Sequence, residues 1–196
     1  MDPPARTILV VDLEATCADD ASLPPEAMEI IEIGAAWATP DGTVLDRFQA
    51  FVRPLQRPAL TAFCTRLTGI RQTDVDAAPL LPVAARALQE FTRRHCRPSG
   101  AVWASWGDYD RKQLERDCAR HSIANPLELP HQNLKRLFAK RQRIGGELAL
   151  AAACQLAKIK LEGTQHRALD DAINTAHLLP WIVGTQSLEG GTSDAG

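Results

Sequence analysis

Ile8-Leu9-Val10-Val11-Asp12-Leu13-Glu14-Ala15-Thr16-Cys17 is the stretch from which the fold is read. Its four leading residues are branched or apolar, the composition of a strand buried on both faces near the middle of a sheet. Side chains alternate between the faces of a strand, so Asp12 and Glu14, two apart, point the same way from its end. Two carboxylates held that close repel each other and resist desolvation unless a cation lies between them. Oxygen donors suit a hard ion such as Mg²⁺ or Mn²⁺ rather than zinc. Asp-x-Glu is also a common tripeptide where an ordinary strand meets a polar turn, so the pair needs support from the rest of the chain.

Outward from this strand, residues 28–39 and 43–53 read as two more strands, with Asp41-Gly42 between them as a hairpin turn. With residues 7–14 they make an antiparallel meander. Residues 18–25 hold two acids and two prolines and form a surface loop beside the acidic strand end. Thereafter helix and strand alternate. Val83, Ala84, Ala87, Leu88 and Phe91 mark a helix over 82–91, residues 101–105 a short apolar strand, and a helix follows from about Asp110 to His121. A short extended piece near 131–134 leads into a basic helix that Gly145-Gly146 breaks. An alanine-rich helix spans 147–158, and a last helix over 167–183 is kinked or ended early by Pro180. The expected fold class is α/β: a mixed five-stranded sheet, three antiparallel strands then parallel ones, flanked by helices. This is compatible with a ribonuclease H-like fold, although the pattern alone does not single it out. Residues 1–6 are assigned to an N-terminal extension, 7–184 to one domain, and 185–196, polar and glycine-rich, to a disordered tail.

Composition narrows the function classes. No apolar run approaches a membrane span, and Met1-Asp2-Pro3-Pro4 lacks the basic and apolar regions of a signal peptide, so a cytosolic location is expected. The five cysteines are scattered, never in a C-x-x-C pair, and are read as buried small hydrophobes. A net charge of −2 gives no global attraction for a polyanion. Locally, Lys135, Arg136, Lys140, Arg141 and Arg143 cluster in a segment without an acid, and Arg93, Arg94, His95 and Arg97 form a smaller group; such runs are usually solvated helix faces.

Two further acidic places stand out. Trp106-Gly107-Asp108-Tyr109-Asp110 follows the strand at 101–105, so its carboxylates lie at a strand's carboxyl end; capping a helix N-terminus is also a very common job for Asp. His166-Arg167-Ala168-Leu169-Asp170-Asp171 opens the last helix, where acids also complement the helix dipole. Each ordinary role suffices singly, but it must then hold at three separate places.

Taken in order, these residues resemble the DEDDh-type 3′–5′ exonucleases, the superfamily of oligoribonuclease, ribonuclease T and polymerase proofreading subunits. Asp12-x-Glu14 is similar to the first motif, Tyr109-Asp110-x-x-x-Leu114 to the second, and His166-x-x-x-x-Asp171 to the third. Within the superfamily the chain looks like the Eri-type exonucleases, which include the histone-mRNA 3′ exonuclease. That likeness is carried by residues 12–17, Glu29-Ile-Ile-Glu-Ile-Gly34, Phe63-Cys64, Leu67-Thr-Gly-Ile70 with Gln72, Val75-Asp76, residues 105–110, Asn133-Leu-Lys135 and residues 166–171. It departs at Gln165, where a second histidine is usual, and at Ile173-Asn174, where Arg-Asn is usual. Neither departure touches a metal ligand. No RNA-binding domain is expected ahead of the core.

The resemblance implies a mechanism. Asp12, Glu14, Asp110 and Asp171 would hold two divalent ions, Mg²⁺ or Mn²⁺, and His166 would be the general base, imidazole having an unperturbed pKa of about 6.5. Leu13, Ala15 and Thr16 would line the terminal-nucleotide site. Trp106 and Tyr109 are candidate base-stacking groups, with core packing as the equal alternative. Lys135, Arg136, Lys140 and Arg141 would grip upstream phosphates. The expected substrate is single-stranded nucleic acid, RNA rather than DNA, with nucleoside 5′-monophosphates as products. The alternatives are a DNA-directed exonuclease and an inactive binding adaptor of the same fold. The full set of four acids and a histidine argues against the adaptor.

Overall fold

The computed structural model describes residues 7–20, 22–96 and 100–189. In chain order the strands and helices are β1 (Ile8–Ala15), β2 (Ile30–Ala38), β3 (Val44–Phe51), α1 (Ala62–Thr68), α2 (Gln72–Asp76), α3 (Leu81–His95), β4 (Val102–Ser105), α4 (Tyr109–Arg120), β5 (His131–Asn133), α5 (Leu134–Gln142), α6 (Leu150–Leu156), α7 (Ala168–His177) and α8 (Leu179–Val183). The sheet order is β3-β2-β1-β4-β5. β1 pairs antiparallel with β2 and parallel with β4, while β5 continues parallel to β4, as the mixed sheet expected from the sequence requires.

Alternation along β1 builds the two layers around it. Leu9, Val11 and Leu13 face one core with Trp37, Trp103, Leu88 and Phe91 under α3 and α4. Ile8 and Val10 face the other, with Phe138, Cys154, Ala172 and Ala176 under α5, α6 and α7. Each such fully buried Leu, Ile or Phe contributes about 1.5–3 kcal/mol of transfer free energy. Asp12 and Glu14 continue the second face beyond the apolar residues, so the packing that buries Val10 also aims the carboxylates.

The structure corrects several expectations. Helices α1 and α2 were not foreseen. They are short, and their boundaries rest on local chemistry: the Thr61 hydroxyl accepts from the Cys64 N–H at 2.9 Å, and Gly69 closes α1 in the left-handed region at φ 69°. The basic helix ends at Gln142, where Arg143 itself takes the left-handed cap (φ 53°), so Gly145-Gly146 play no part in stopping it. The alanine-rich helix starts at Leu150, not residue 147, after an extended Ala149. The last helix breaks at Leu178, placing Pro180 in the first turn of α8, where its missing N–H is harmless. Among the cysteines, Cys64, Cys118 and Cys154 are buried, but Cys17 is only half-buried and Cys96 is exposed. Residues 186–189 lie against α5, with the Leu188 N–H donating to Gln142 Oε1 at 2.9 Å; residues 1–6 and 190–196 lie outside the described residues.

Gly34 of β2 lies directly beneath α7. A methyl group there would overlap the backbone of Ala168 and Leu169, which no side-chain rotation relieves. Gly34→Ala is therefore expected to destabilise the protein by about 3 kcal/mol, the upper end of overpacking costs. Urea denaturation followed by far-UV circular dichroism measures this, and a loss within experimental error of zero contradicts the close packing.

Candidate active site

Three chain segments converge at the carboxyl edge of β1. The first is β1 itself, where Asp12 lies opposite Gly34 and Glu14 opposite Glu32 on β2. The second is the turn from β4 into α4. Ser105 Oγ donates to the Gly107 carbonyl at 2.9 Å, and Gly107 adopts φ 126°, open to glycine and costly to other residues. This turn delivers Asp110 into the interior, 4% exposed, where its Oδ1 accepts the Leu13 N–H at 3.0 Å. That bond ties the first turn of α4 to the acidic end of β1. The third segment precedes α7. The His166 N–H donates to Asp171 Oδ2 at 3.0 Å, and His166 holds φ 60°, a left-handed conformation that costs a non-glycine residue about 1–2 kcal/mol.

Glu14, His166 and Asp171 each present a ligand atom, all within 4.8 Å of one another. Asp12 and Asp110 stand beside this trio. Burial foremost, then Asp110, Glu14, Asp171 and Glu32, holds the Asp12 carboxyl well above its ordinary range. Burial followed by Asp171, Glu32 and Asp110 pushes Glu14 up to about 8. Burial raises Asp110 to about 6 against the opposing Leu13 N–H, and burial also raises Asp171. Among the described residues none donates a hydrogen bond to the carboxylate of Asp12 or Glu14. Clustered, desolvated oxygen donors without protein partners fit divalent cations of the Mg²⁺ or Mn²⁺ kind.

Asp108 occupies the N-cap position of α4 but makes no side-chain cap bond. It pairs instead with Arg136, Oδ2 to guanidinium at 3.0 Å. Burial presses its carboxyl up, yet Asn133 and Arg136 outweigh that and leave it below the ordinary range.

The residues expected to touch substrate are distributed unevenly. The side chains of Leu13 and Ala15 are buried, and Thr16 Oγ1 accepts the Glu29 N–H at 2.9 Å, so all three side chains are engaged within the fold. Trp106 packs on Phe138 with ring centroids 5.8 Å apart and donates its indole N–H to the Leu148 carbonyl at 3.0 Å, the packing alternative raised by the sequence. Tyr109, adjacent to Asp110, is 44% exposed, and its hydroxyl lies 3.8 Å from Met28 Sδ. The basic helix is divided by its direction. Lys135 and Arg136 open α5 at the site edge, directly after β5. Its far end meets α8, where Arg141 donates to the Val183 carbonyl at 2.7 Å. α7 likewise runs from the site to the β2–β3 turn, where His177 Nδ1 lies 3.3 Å from the Gly42 carbonyl, so its ten residues span about 15 Å. Lys140, Arg141 and Arg143 thus sit by the opposite edge of the sheet from the acids.

Sequence reasoning missed Glu32 and Arg167 as members of this site. Glu32 is fully buried, and Arg167 Nε and Nη2 reach its two oxygens at 3.1 and 3.0 Å. The available signal was an acid inside an otherwise apolar strand, Ile30-Ile31-Glu32-Ile33, since carboxylates are rarely buried without a partner.

The chain as a whole has known counterparts. The exonuclease family profile matches residues 9–179. The chain belongs to this exonuclease family. ERI1 exoribonuclease 2 of Mus musculus is 34% identical over 89% of the chain, although the chain spans only 28% of that relative's length. The probable 3′-5′ exonuclease KapD of Bacillus subtilis is 30% identical over 90% of the chain and 84% of its own length. In fold, the chain matches the nuclease domain of 3′hExo, a DEDDh family member bound to rAMP, with a TM-score of 0.81 at 24% identity, covering 94% of this chain and 95% of that one. It also matches exonuclease I in its complex with single-stranded DNA, with a TM-score of 0.70 at 13% identity, covering 92% of this chain and 41% of that one.

Two outcomes follow from this geometry. Between pH 4.5 and about 8 the folded protein holds protons on Glu14 that the unfolded chain has released, so stability falls as pH rises through this window. Asp12, Asp110 and Asp171, raised with it, act in the same sense, whereas His121 and His131, lowered by burial, oppose them inside the window; Asp20, Asp41, Asp46, Asp74 and Asp108, held below their ordinary range, titrate beneath it. Thermal melts in EDTA should show a falling midpoint from pH 5 to 8, and excess Mg²⁺ or Mn²⁺ at pH 8 should restore it; a metal-free midpoint that stays level or climbs contradicts the site. Separately, Asp110→Asn should abolish nuclease activity in a folded protein, because the Leu13 N–H keeps an acceptor while a ligand charge disappears. Asp108→Asn should stay within about threefold of wild type, since its exposed ion pair is worth at most about 1 kcal/mol. Oligonucleotide degradation assays compare the two, and equal losses would place Asp108 in the catalytic constellation.

Proposed function

We propose that the protein is a metal-dependent 3′–5′ exoribonuclease that removes nucleoside 5′-monophosphates from single-stranded RNA. The observation that carries this reading is the convergence of Asp12, Glu14, Asp110, Asp171 and His166, from three separate segments, at one strand end. The four carboxylates would hold two divalent ions. When bound, such ions supply charge neutralisation at the phosphate and a water acidic enough to attack at neutral pH. His166, exposed at the rim, takes the proton from the attacking water at an imidazole nitrogen. The phosphorus–O3′ bond of the last linkage then breaks, the 3′-oxygen regains a proton, and the terminal nucleotide departs as its 5′-monophosphate. The Tyr109 ring offers a stacking surface for a base, and Lys135 with Arg136 offers positive charge for the nearest upstream phosphates. RNA is favoured because the similar curated proteins include exoribonucleases and the neighbouring nuclease domain holds rAMP. The similarity of fold to exonuclease I bound to single-stranded DNA supports DNA as the second reading.

End-labelled RNA and DNA of one sequence, single- and double-stranded, separate these readings. The 5′-labelled single-stranded RNA should shorten to a ladder faster than its DNA counterpart, with EDTA stopping the reaction. His166→Ala should lower turnover by about two to four orders of magnitude. Activity that survives chelation, or near-normal turnover of the His166 variant at neutral pH, contradicts the mechanism.

A further inference from the structure

Glu32 is a fifth carboxylate beside the four, directly opposite Glu14 in the β1–β2 register, yet its surroundings differ entirely. Arg167 grips both its oxygens through a two-pronged contact, the Ala168 N–H donates to Oε2 at 3.1 Å, and Gln49 Nε2 donates to Oε1. Its acceptor positions are thus filled by protein donors and its charge is matched by a guanidinium. A cation ligand would need those oxygens free. The arginine is itself supported, its guanidinium carbon 5.4 Å from the centre of the Phe51 ring.

Two of those donors, Arg167 and Ala168, immediately follow His166. A left-handed histidine persists only where its surroundings determine the backbone on both sides. On one side the His166 N–H is fixed to Asp171, and on the other the Glu32 contacts fix the next two residues to β2. We infer that Glu32 and Arg167 are positioning residues, a clamp that holds the backbone at His166 so that its imidazole is aimed at the attacking water. This deepens the reading of His166 as general base and rests on it. Neither clamp residue touches the reacting atoms. Asp171 lies a turn further along α7, whose seat on the sheet is set by the buried Ala168 and Ala172, so the clamp acts on the base more than on the metal ligands.

The test is a mutant cycle on the full chain with single-stranded RNA. Arg167→Met should lower kcat by about 10- to 100-fold, the cost of misplacing a reacting group by roughly an ångström, with KM within about threefold. In the His166→Ala background the same substitution should produce no further loss, because residues acting as a unit are not additive. Mn²⁺ affinity measured by calorimetry should stay within about threefold of wild type, against the 10- to 100-fold expected for a group supporting a metal ligand. Glu32→Gln gives an independent version of the cycle. Should Arg167→Met leave a buried charge that prevents folding, the Glu32→Gln/Arg167→Met pair removes both charges together. Equal losses in both backgrounds, unchanged kcat, or collapse of Mn²⁺ affinity overturns the clamp. A fully active His166→Ala variant overturns the base assignment itself, whereas a slow His166→Ala beside a normal Arg167→Met overturns the clamp alone.

Discussion

Like charges forced together at a buried strand end are the constraint on which this molecule depends. Asp12, Glu14, Asp110 and Asp171 come from chain segments far apart in sequence, and each would be better solvated if the fold loosened. Apolar packing on both sides of β1 holds them in place. Leu9, Val11 and Leu13 lock one face while Ile8 and Val10 lock the other, so the carboxylates cannot rotate away without exposing core. The resulting tension is the usual condition of a site whose native partner is a cation.

Close docking of α7 onto β2 supplies the complementary half. Gly34 removes the side chain that would separate helix from sheet, and Glu32 meets the N-terminal amide of Ala168 and the side chain of Arg167. A carboxylate at the start of a helix is favourable on its own account, because the unpaired amides there carry partial positive charge. Here the same carboxylate neutralises an arginine. One buried acid thereby secures the chain at the start of α7, directly after His166.

Much of this arrangement was legible in the sequence because it follows from short-range periodicity. The alternation of Val10, Asp12 and Glu14 against Leu9, Val11 and Leu13 dictates which face carries the acids, and the structure keeps it. The spacing from His166 to Asp171 likewise brings the two together across one helix start. What could not be read was three-dimensional bookkeeping. Nothing in residues 134–143 reveals that α5 runs away from the acids, placing Arg136 at Asp108 and Arg141 at Val183. Nor does Trp106 announce that its N–H is taken by Leu148, 42 residues later. The brief helices α1 and α2 depend on a threonine cap and a left-handed glycine, signals too common to weigh without the surrounding fold.

The strict alternation along β1 also bears on how reliably the chain folds. A strand displaced by one residue against β2 would turn Asp12 and Glu14 into the large core under α3 and α4, and send Leu13 to the acidic rim. That misfolded pairing would bury two carboxylates among apolar side chains beside Trp37 and Trp103. Asp12 and Glu14 therefore also police strand alignment during folding. A substitution that neutralises them relaxes a safeguard on registry as well as changing the charge of the acidic cluster.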